Sequence, residues 1–435
     1  MAVIQAPRGM RDLLPDDVAR WQAVEAVVHD LAARWGFREI RTPVVEHTEV
    51  FQRTVGEDTD LISKEMYTFA DRGGRSLSLR PEGTAPVMRA YLEHGLHQDP
   101  QPGKFYYIAP MFRYDRPQKG RYRQHVQFGA EIIGSPHPAA DAEVLTLPIR
   151  VLQALGLTEV EVRLNSVGDA ACRPRYLAAL RDYFTARLEE LCEDCRRRVD
   201  RNPLRVLDCK QSGCRRVVRG APSVFEFLCD ACRAHFEGVK RRFDLLGVRY
   251  AIDPHIVRGL DYYTRTAVEV FSGRLGAQNA MFGGGRYDGL AEQLGGPPTP
   301  GVGFGFGLDR LMIVLQEEGL APPVDRGAEV CVVAIGEAPR AEGVRLLDEL
   351  RGAGVRAEGD LLDRPLRAQM KHADRLRARY VLVIGDSELA AGTVTLREMS
   401  SGVQTPLDRG DAVVAVRSRL RSASAGRARR REENG

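Results

Sequence analysis

No apolar run in the 435-residue chain approaches the roughly 20 residues that cross a bilayer, so a membrane-spanning protein is not expected. Met1 to Arg11 lacks the basic patch and following apolar stretch of a secretory signal. An excess of one charge sign is missing too: 63 basic against 59 acidic residues leave a formal net charge of +4. That balance neither demands nor excludes a nucleic-acid partner. No repeat of solenoid type is present, and no Walker-type loop with Gly-Lys-Ser or Gly-Lys-Thr. Eight cysteines without an export signal argue for reduced thiols or metal ligands over disulfides. The expected compartment is the cytoplasm.

What is present is a core. Hydrophobic residues make up 43% and charged residues 28%, a globular profile, and the length predicts two or three domains. Asp16 to Trp35 carries apolar residues at helical spacing behind Pro15. Arg38 to Val45 reads as a strand interrupted by Pro43, which suits a sheet edge or an interface. Phe105 to Arg113 and Val126 to Ile133 read as strands joined by a charged loop. From about 167 to 247 the pattern turns helical and holds every cysteine except Cys331, which predicts an inserted helical domain. Strand character returns at Tyr250 to Phe271 and Gly301 to Leu308. After a linker at Pro322 and Pro323, strands at Val330 to Ile335, Val355 to Glu358 and Tyr380 to Ile384 alternate with helical segments, which predicts a small separate α/β domain. Arg421 to Gly435 is Arg-rich and expected to be disordered.

Several segments carry residue types suited to chemistry. Leu79 to Thr84 places Glu82 and Thr84 on a turn through Gly83, where they could face an ammonium group; a turn capped by Thr84 is the plainer alternative. Phe112 to Gln124 concentrates five basic residues, Arg113, Arg116, Lys119, Arg121 and Arg123, in a hairpin. Guanidinium forks suit phosphate oxygens, and a polyphosphate or nucleic acid is their natural partner. On the following strand Gln127 and Glu131 share a face. His255 to Arg265 sets Arg258, Tyr262 and Tyr263 around Gly259; Tyr262 serves the core equally well. Phe282 to Leu290 is glycine-dense. Gly301 to Arg310 alternates glycine with apolar residues along a strand, clearing one face against which a flat base could lie, with Arg310 at the start of the next helix. Cys192-x-x-Cys195 and Cys229-x-x-Cys232, with Cys209 and Cys214 between them, have the spacing of a structural zinc site; free buried thiols are the alternative.

Taken together and in order, these segments resemble the class II aminoacyl-tRNA synthetases, and in detail the histidyl-tRNA synthetase family. Arg38 to Val50 is similar to the family's first motif, at the dimer interface, Phe112 to Glu131 to its second, and Gly301 to Arg310 to its third. Val257 to Tyr263 and Gly284 to Leu290 are similar to two signatures of the histidine enzymes. The resemblance runs from Arg8 to about Leu420 and leaves out the Arg-rich tail; the cysteine set is not part of the family's shared catalytic equipment.

It implies an α+β fold. A catalytic domain over 1–320 would have an antiparallel sheet of six or seven strands flanked by helices, interrupted by the helical insertion. An α/β anticodon-binding domain would follow over 328–420, then the tail over 421–435. It implies a homodimer acting on ATP with Mg²⁺, L-histidine and tRNA(His), with no membrane partner. Histidine's carboxylate attacks the α-phosphorus of ATP without a strong base, so positioning and electrostatics should dominate. By resemblance, Arg113 and Arg258 are catalytic, holding the α-phosphate and the attacking carboxylate, while Arg121 and Arg310 grip the rest of ATP. Glu82, Thr84 and Gln127 hold the amino group on the turn through Gly83; Glu131 and Tyr263 address the imidazole, with Tyr262 beside them. Asp115 departs from the family's usual Glu, keeping the charge on a shorter arm. The main rival is a non-catalytic regulatory subunit of histidine biosynthesis, expected to lack the second domain and to have eroded motifs. Synthetases for proline or threonine and a pure RNA-binding module stand further off.

Overall fold

The computed structural model describes residues 3–56, 59, 61–257, 260–273, 280–324 and 328–432, with side chains as far as 422. It divides into two compact units, Met1–Pro323 and Val324–Gly435.

The first unit is built on a strongly alternating sheet. Its eight strands lie in the order Arg38–Glu39, Gly103–Phe112, Gln124–Ile133, Gly301–Gly307, Ala280–Arg286, Thr264–Phe271, Glu161–Ser166 and Ala251–Ile252. The six inner strands pair antiparallel. The two-residue strands at the ends pair parallel, and such short pieces leave no periodicity in a sequence. Successive side chains point to opposite faces. Phe128, Ala130 and Ile132 of one strand and Val302, Phe304 and Phe306 of its neighbour therefore go to the back. There they join one core with residues of the helices Pro15–Arg34, Pro138–Ala154, Asp230–Leu245 and Leu308–Glu317. Each buried phenylalanine contributes about 1.5–3 kcal/mol. The front face receives Gln127, Gly129 and Glu131 from one strand and Gly301, Gly303 and Gly305 from the other, and the site is built there.

Arg38 to Val45 does not form one strand. Arg38–Glu39 joins the main sheet, while Val45–His47 pairs with Ser76–Leu79 in a separate sheet of three that also holds Tyr67–Ala70. Pro43 lies in the break, and buried Arg80 ties the break down, donating from Nη1 to Thr42 O at 2.7 Å and from Nε to Pro110 O at 2.9 Å. Helix Pro138–Ala154 escaped the sequence pattern because it is buried on nearly every side and shows no polar stripe. The insertion is helical as expected, with Arg173–Thr185, Glu193–Arg201, Leu204–Leu207 and Ser212–Val218 around a small core of its own.

The second unit has a five-stranded sheet in the order Ala357–Gly359, Val330–Ala334, Tyr380–Ile384, Thr393–Glu398 and Gln404–Asp408. The first three are parallel and the last two antiparallel additions. The final helix is Ala412–Glu432, and its arginines and alanines are strong helix formers.

Candidate active site

On the front face the glycines are explained by their neighbours. A Cβ on Gly303 would fall 1.6 Å from Glu131 Oε2, one on Gly305 would fall 2.1 Å from Gln127 Nε2, and one on Gly301 2.2 Å from the Tyr287 ring. The cleared surface therefore accommodates polar side chains of adjacent strands, which in turn face the ligand space. At Gly301 and Gly303 the cleared face is thus taken up by protein side chains, while Gly305 and Gly307 of the same strand line the open cleft. Tyr107 fills a second notch, its ring 2.3 Å from the position of a Cβ on Gly83 and 2.2 Å from that on Gly129.

Two buried carboxyl groups dominate this end. Glu82 caps the helix Thr84–Glu93, accepting from the amides of Thr84 at 2.7 Å and Ala85 at 2.9 Å. The cap is thus Glu82 and not Thr84, whose hydroxyl instead donates to Glu131 Oε1 at 2.8 Å. Tyr287 donates to Glu131 Oε2 at 2.5 Å. Burial pushes the Glu131 carboxyl up to about 8, against the pull of these two donors, and nearby Glu82 adds to the rise. Burial raises Glu82 as well, opposed by its two amides and by the charge of Arg113. Tyr262 reaches Glu82 Oε2 at 3.5 Å, and its ring lies 4.7 Å from that of Tyr263 and 5.8 Å from that of Tyr287. Two buried carboxyls walled by tyrosines form a pocket suited to a small cationic or hydrogen-bonding group.

Beyond Gln127 the character changes to cationic. A cleft with a cavity volume of about 260 Å³ is lined by Arg113, Arg121, Arg310, His125, Glu269 and Gln127 among others. Arg113 is held by Nε donating to Pro81 O at 2.8 Å, and Arg310 by Nε donating to Gly120 O at 3.0 Å. Burial lowers the affinity of Arg310 for its proton, and Arg121 and Arg113 lower it further by repulsion. Three guanidinium groups sharing one recess mark an anion site. His125 is held down to about 3 by burial and then by Arg113 and Arg310, so it stays neutral. Asp115 forms an ion pair with Arg121 and accepts from the Arg116 amide at 2.7 Å, so the shorter carboxylate still engages the hairpin. Asp309, also buried, fixes the hairpin's far strand by accepting from the Val126 amide at 2.8 Å and from Arg11 at 2.9 Å.

The fold thus brings together Arg113, Arg121 and Arg310 in one cleft, and Glu82, Thr84, Glu131, Tyr262 and Tyr263 in the adjoining pocket, with Gln127 at the boundary and Gly83 beneath Tyr107. Arg258 and Gly259 lie outside the described residues.

A family model described as histidyl-tRNA synthetase matches residues 9–311, and one described as an anticodon binding domain matches 329–419. A histidine–tRNA ligase of Desulforudis audaxviator is 53% identical over 415 residues, 95% of this chain and 99% of that protein. The chain belongs to the histidyl-tRNA synthetase family. A crystal structure of apo histidyl-tRNA synthetase from S. aureus matches with a TM-score of 0.81 and 39% identity over 95% of this chain and all of that one. A Bacillus halodurans structure titled as an ATP phosphoribosyltransferase regulatory subunit/histidyl-tRNA synthetase has a TM-score of 0.64 and 23% identity over 88% of this chain and 99% of that one, a likeness of fold alone.

Within this family site, sequence reasoning missed Tyr107, His125, Glu269, Tyr287 and Asp309. Tyr287 stood in a segment already singled out, and its role follows only from the register that sets it over Gly301. Among the described residues no helix is long and apolar enough to cross a membrane.

Proposed function

We propose that the front face performs ATP-dependent ligation of L-histidine to tRNA(His) in two steps, with the residues gathered there in defined roles. Glu82, Thr84 and Gln127 receive the substrate's ammonium group, whose charge favours the ionised form of Glu82. Glu131 and Tyr263 hydrogen-bond the imidazole, with Tyr262 and Tyr287 as walls. A pocket built on such bonds rejects isosteres that lack them by about 10⁴–10⁵. The substrate carboxylate then lies toward Arg113, and ATP occupies the cationic cleft with Arg113 near the α-phosphate and Arg121 and Arg310 on the leaving phosphates. Attack of the carboxylate oxygen on the α-phosphorus forms histidyl-adenylate and expels pyrophosphate. A terminal ribose hydroxyl of the tRNA next attacks the adenylate carbonyl, and AMP leaves. Arg258 keeps the role the resemblance gives it, beside Arg113.

ATP and Mg²⁺ are substrates and cofactor of the family. Magnesium takes one or two carboxylates together with substrate phosphates, and half-buried Glu269, in the cleft with Arg310, fits that donor set. When bound, the ion neutralises charge on the phosphate oxygens. The observation that carries this reading is the adjacency, across Gln127, of a paired-carboxyl pocket and a three-arginine cleft. An intact set of this kind, together with the second unit, disfavours the regulatory-subunit reading.

The test is ATP–pyrophosphate exchange across the standard amino acids. Exchange should depend on histidine; equal stimulation by proline overturns the assignment. A homodimer belongs to the same proposal. Val44, Val45 and Phe69 expose apolar surface around the three-stranded sheet, where the first family motif places a second copy. Light scattering should give twice the chain mass, and a monomer at assay concentration would remove the dimer.

A further inference from the structure

The sequence groups Cys192 and Cys195 with Cys229 and Cys232, but the fold separates the two pairs. Cys192 and Cys195 meet Cys209 and Cys214; Cys229 and Cys232 meet Cys172 and Asp169. In each group one donor atom per residue lies within 4.8 Å of all the others. Within the first, Cys192 and Cys209 bring their sulfurs to 3.9 Å; within the second, Cys172 and Cys232 bring theirs to 3.8 Å. A disulfide holds its sulfurs at about 2.05 Å, whereas a tetrahedron with zinc–sulfur bonds of about 2.3 Å has edges of about 3.8 Å. We propose that the insertion carries two structural zinc sites, one of four cysteines and one of three cysteines with Asp169.

The chemistry of the donors supports this over buried thiols alone. Each group contains two buried and two half-buried donors, so neither is a surface patch. Cys192 and Cys229 stand at the N-caps of helices Glu193–Arg201 and Asp230–Leu245, where the dipole favours a thiolate. Each begins a Cys-x-x-Cys turn that presents two sulfurs to one point. The Cys192 amide also lies 3.1 Å from Cys214 Sγ, an outer hydrogen bond of the kind that steadies a metal thiolate. Sulfur donors select zinc over magnesium, and four protein donors leave no open coordination position, which makes these structural and not catalytic sites.

Location supplies the reason for two. The second site joins the first turn of the insertion to its last helix. Asp169 turns one oxygen toward the sulfurs, with Cys172 Sγ 3.5 Å from Oδ1, and the other toward Arg265 at 3.4 Å. Arg265 in turn exchanges backbone bonds with Val167 and Gly168, both at 2.7 Å. The first site crosslinks the short helices from which Asn202 reaches Asp261 at 3.2 Å. Both ions therefore brace the insertion where it abuts the segment carrying Tyr262 and Tyr263.

Metal content of the full chain, purified without chelator, tests this independently of any catalytic role. Two zinc ions per chain are expected by mass spectrometry and by release to a chromogenic chelator. Cys209→Ser and Cys172→Ser should each retain one. Should either variant fail to fold, cobalt(II) added to the metal-stripped wild-type chain should saturate at two equivalents with thiolate-to-cobalt absorption. No zinc and no such absorption would overturn both sites. Saturation at one equivalent, or iron in place of zinc, would overturn the two-zinc assignment.

Discussion

In the role proposed for it, Glu131 discriminates for histidine, and its environment then makes a specific demand on pH. With its carboxyl pushed up to about 8, the empty pocket holds a proton at neutral pH. Free imidazole, with a pKa near 6.5, is then mostly neutral. Binding at pH 7 requires no net proton exchange, because the proton between Glu131 and the imidazole is already present. Above about 8 it must be taken up from solvent, and below about 6.5 one must be released. The KM for histidine should be lowest between these limits and rise by up to tenfold per pH unit outside them. Glu131→Gln should raise KM and lose the alkaline limb while the acid limb, set by the imidazole, stays; an unchanged alkaline limb would remove Glu131 from the proton count. The same shift has a stability consequence. Between the unfolded value of about 4.3 and about 8 the folded chain binds the extra proton, so this group's contribution to stability falls as pH rises through that window. Gly303 gives a second residue-scale test. Gly303→Ala sets a methyl where Glu131 Oε2 now lies, and should lower kcat/KM for histidine on the order of 10–100-fold, the 1.5–3 kcal/mol of a hydrogen bond to a charged group. Activity equal to wild type would show that Glu131 does not need its present place.

At the scale of elements, the signature strand Ala280–Arg286 is held by a buried network that no motif reading exposes. Arg286, fully buried, donates from Nε to Asp141 Oδ1 at 3.1 Å, forms a second bond from Nη2 to the other oxygen, and bonds Asp288 Oδ1 at 3.0 Å. His235 reaches the same Asp141 at 3.1 Å. One carboxylate thus ties the strand to helix Pro138–Ala154 and to the insertion's last helix. Arg286→Met should cost about 3–5 kcal/mol by leaving Asp141 buried without its cation. Both tryptophans, Trp21 and Trp35, belong to the first unit, so urea unfolding followed by their fluorescence isolates this loss; a change below about 1 kcal/mol would deny the network its role. The network also shows what a sequence conveys. Alternation made the strands Phe105 to Arg113 and Val126 to Ile133 legible, and glycine alternation made Gly301 to Leu308 legible. Helix Pro138–Ala154 was hidden because burial all round erases amphipathicity. The carboxylates and arginines were visible as residue types at suggestive spacing. The partners of Glu131, by contrast, come from positions 84 and 287, and the cysteine groupings cross in the fold. Such pairings are set by strand order and helix packing, which local periodicity does not encode.

For the whole molecule, the separation at Pro323 divides the chemistry. The paired-carboxyl pocket and the arginine cleft lie entirely in Met1–Pro323, with its own core behind the sheet. Val324–Gly435 encloses separate clusters, among them Val330, Leu346, Leu382 and Val394. With the roles proposed above, amino-acid activation would need only the first unit, whereas capture of tRNA would gain from a second module tethered to it. Tethered modules raise apparent affinity by about 10²–10⁴ through effective concentration alone. A chain ending at Pro323 should therefore keep histidine-dependent ATP–pyrophosphate exchange within a few-fold of the full chain. Its kcat/KM for tRNA in aminoacylation should fall on the order of 10²-fold or more. Purified Val324–Gly435 added in trans should restore little of that loss, since it removes the tether and leaves only its intrinsic affinity. Equal loss of exchange and of aminoacylation, with the truncated chain still folded by circular dichroism, would place part of the activation machinery in the second unit and defeat this division of labour.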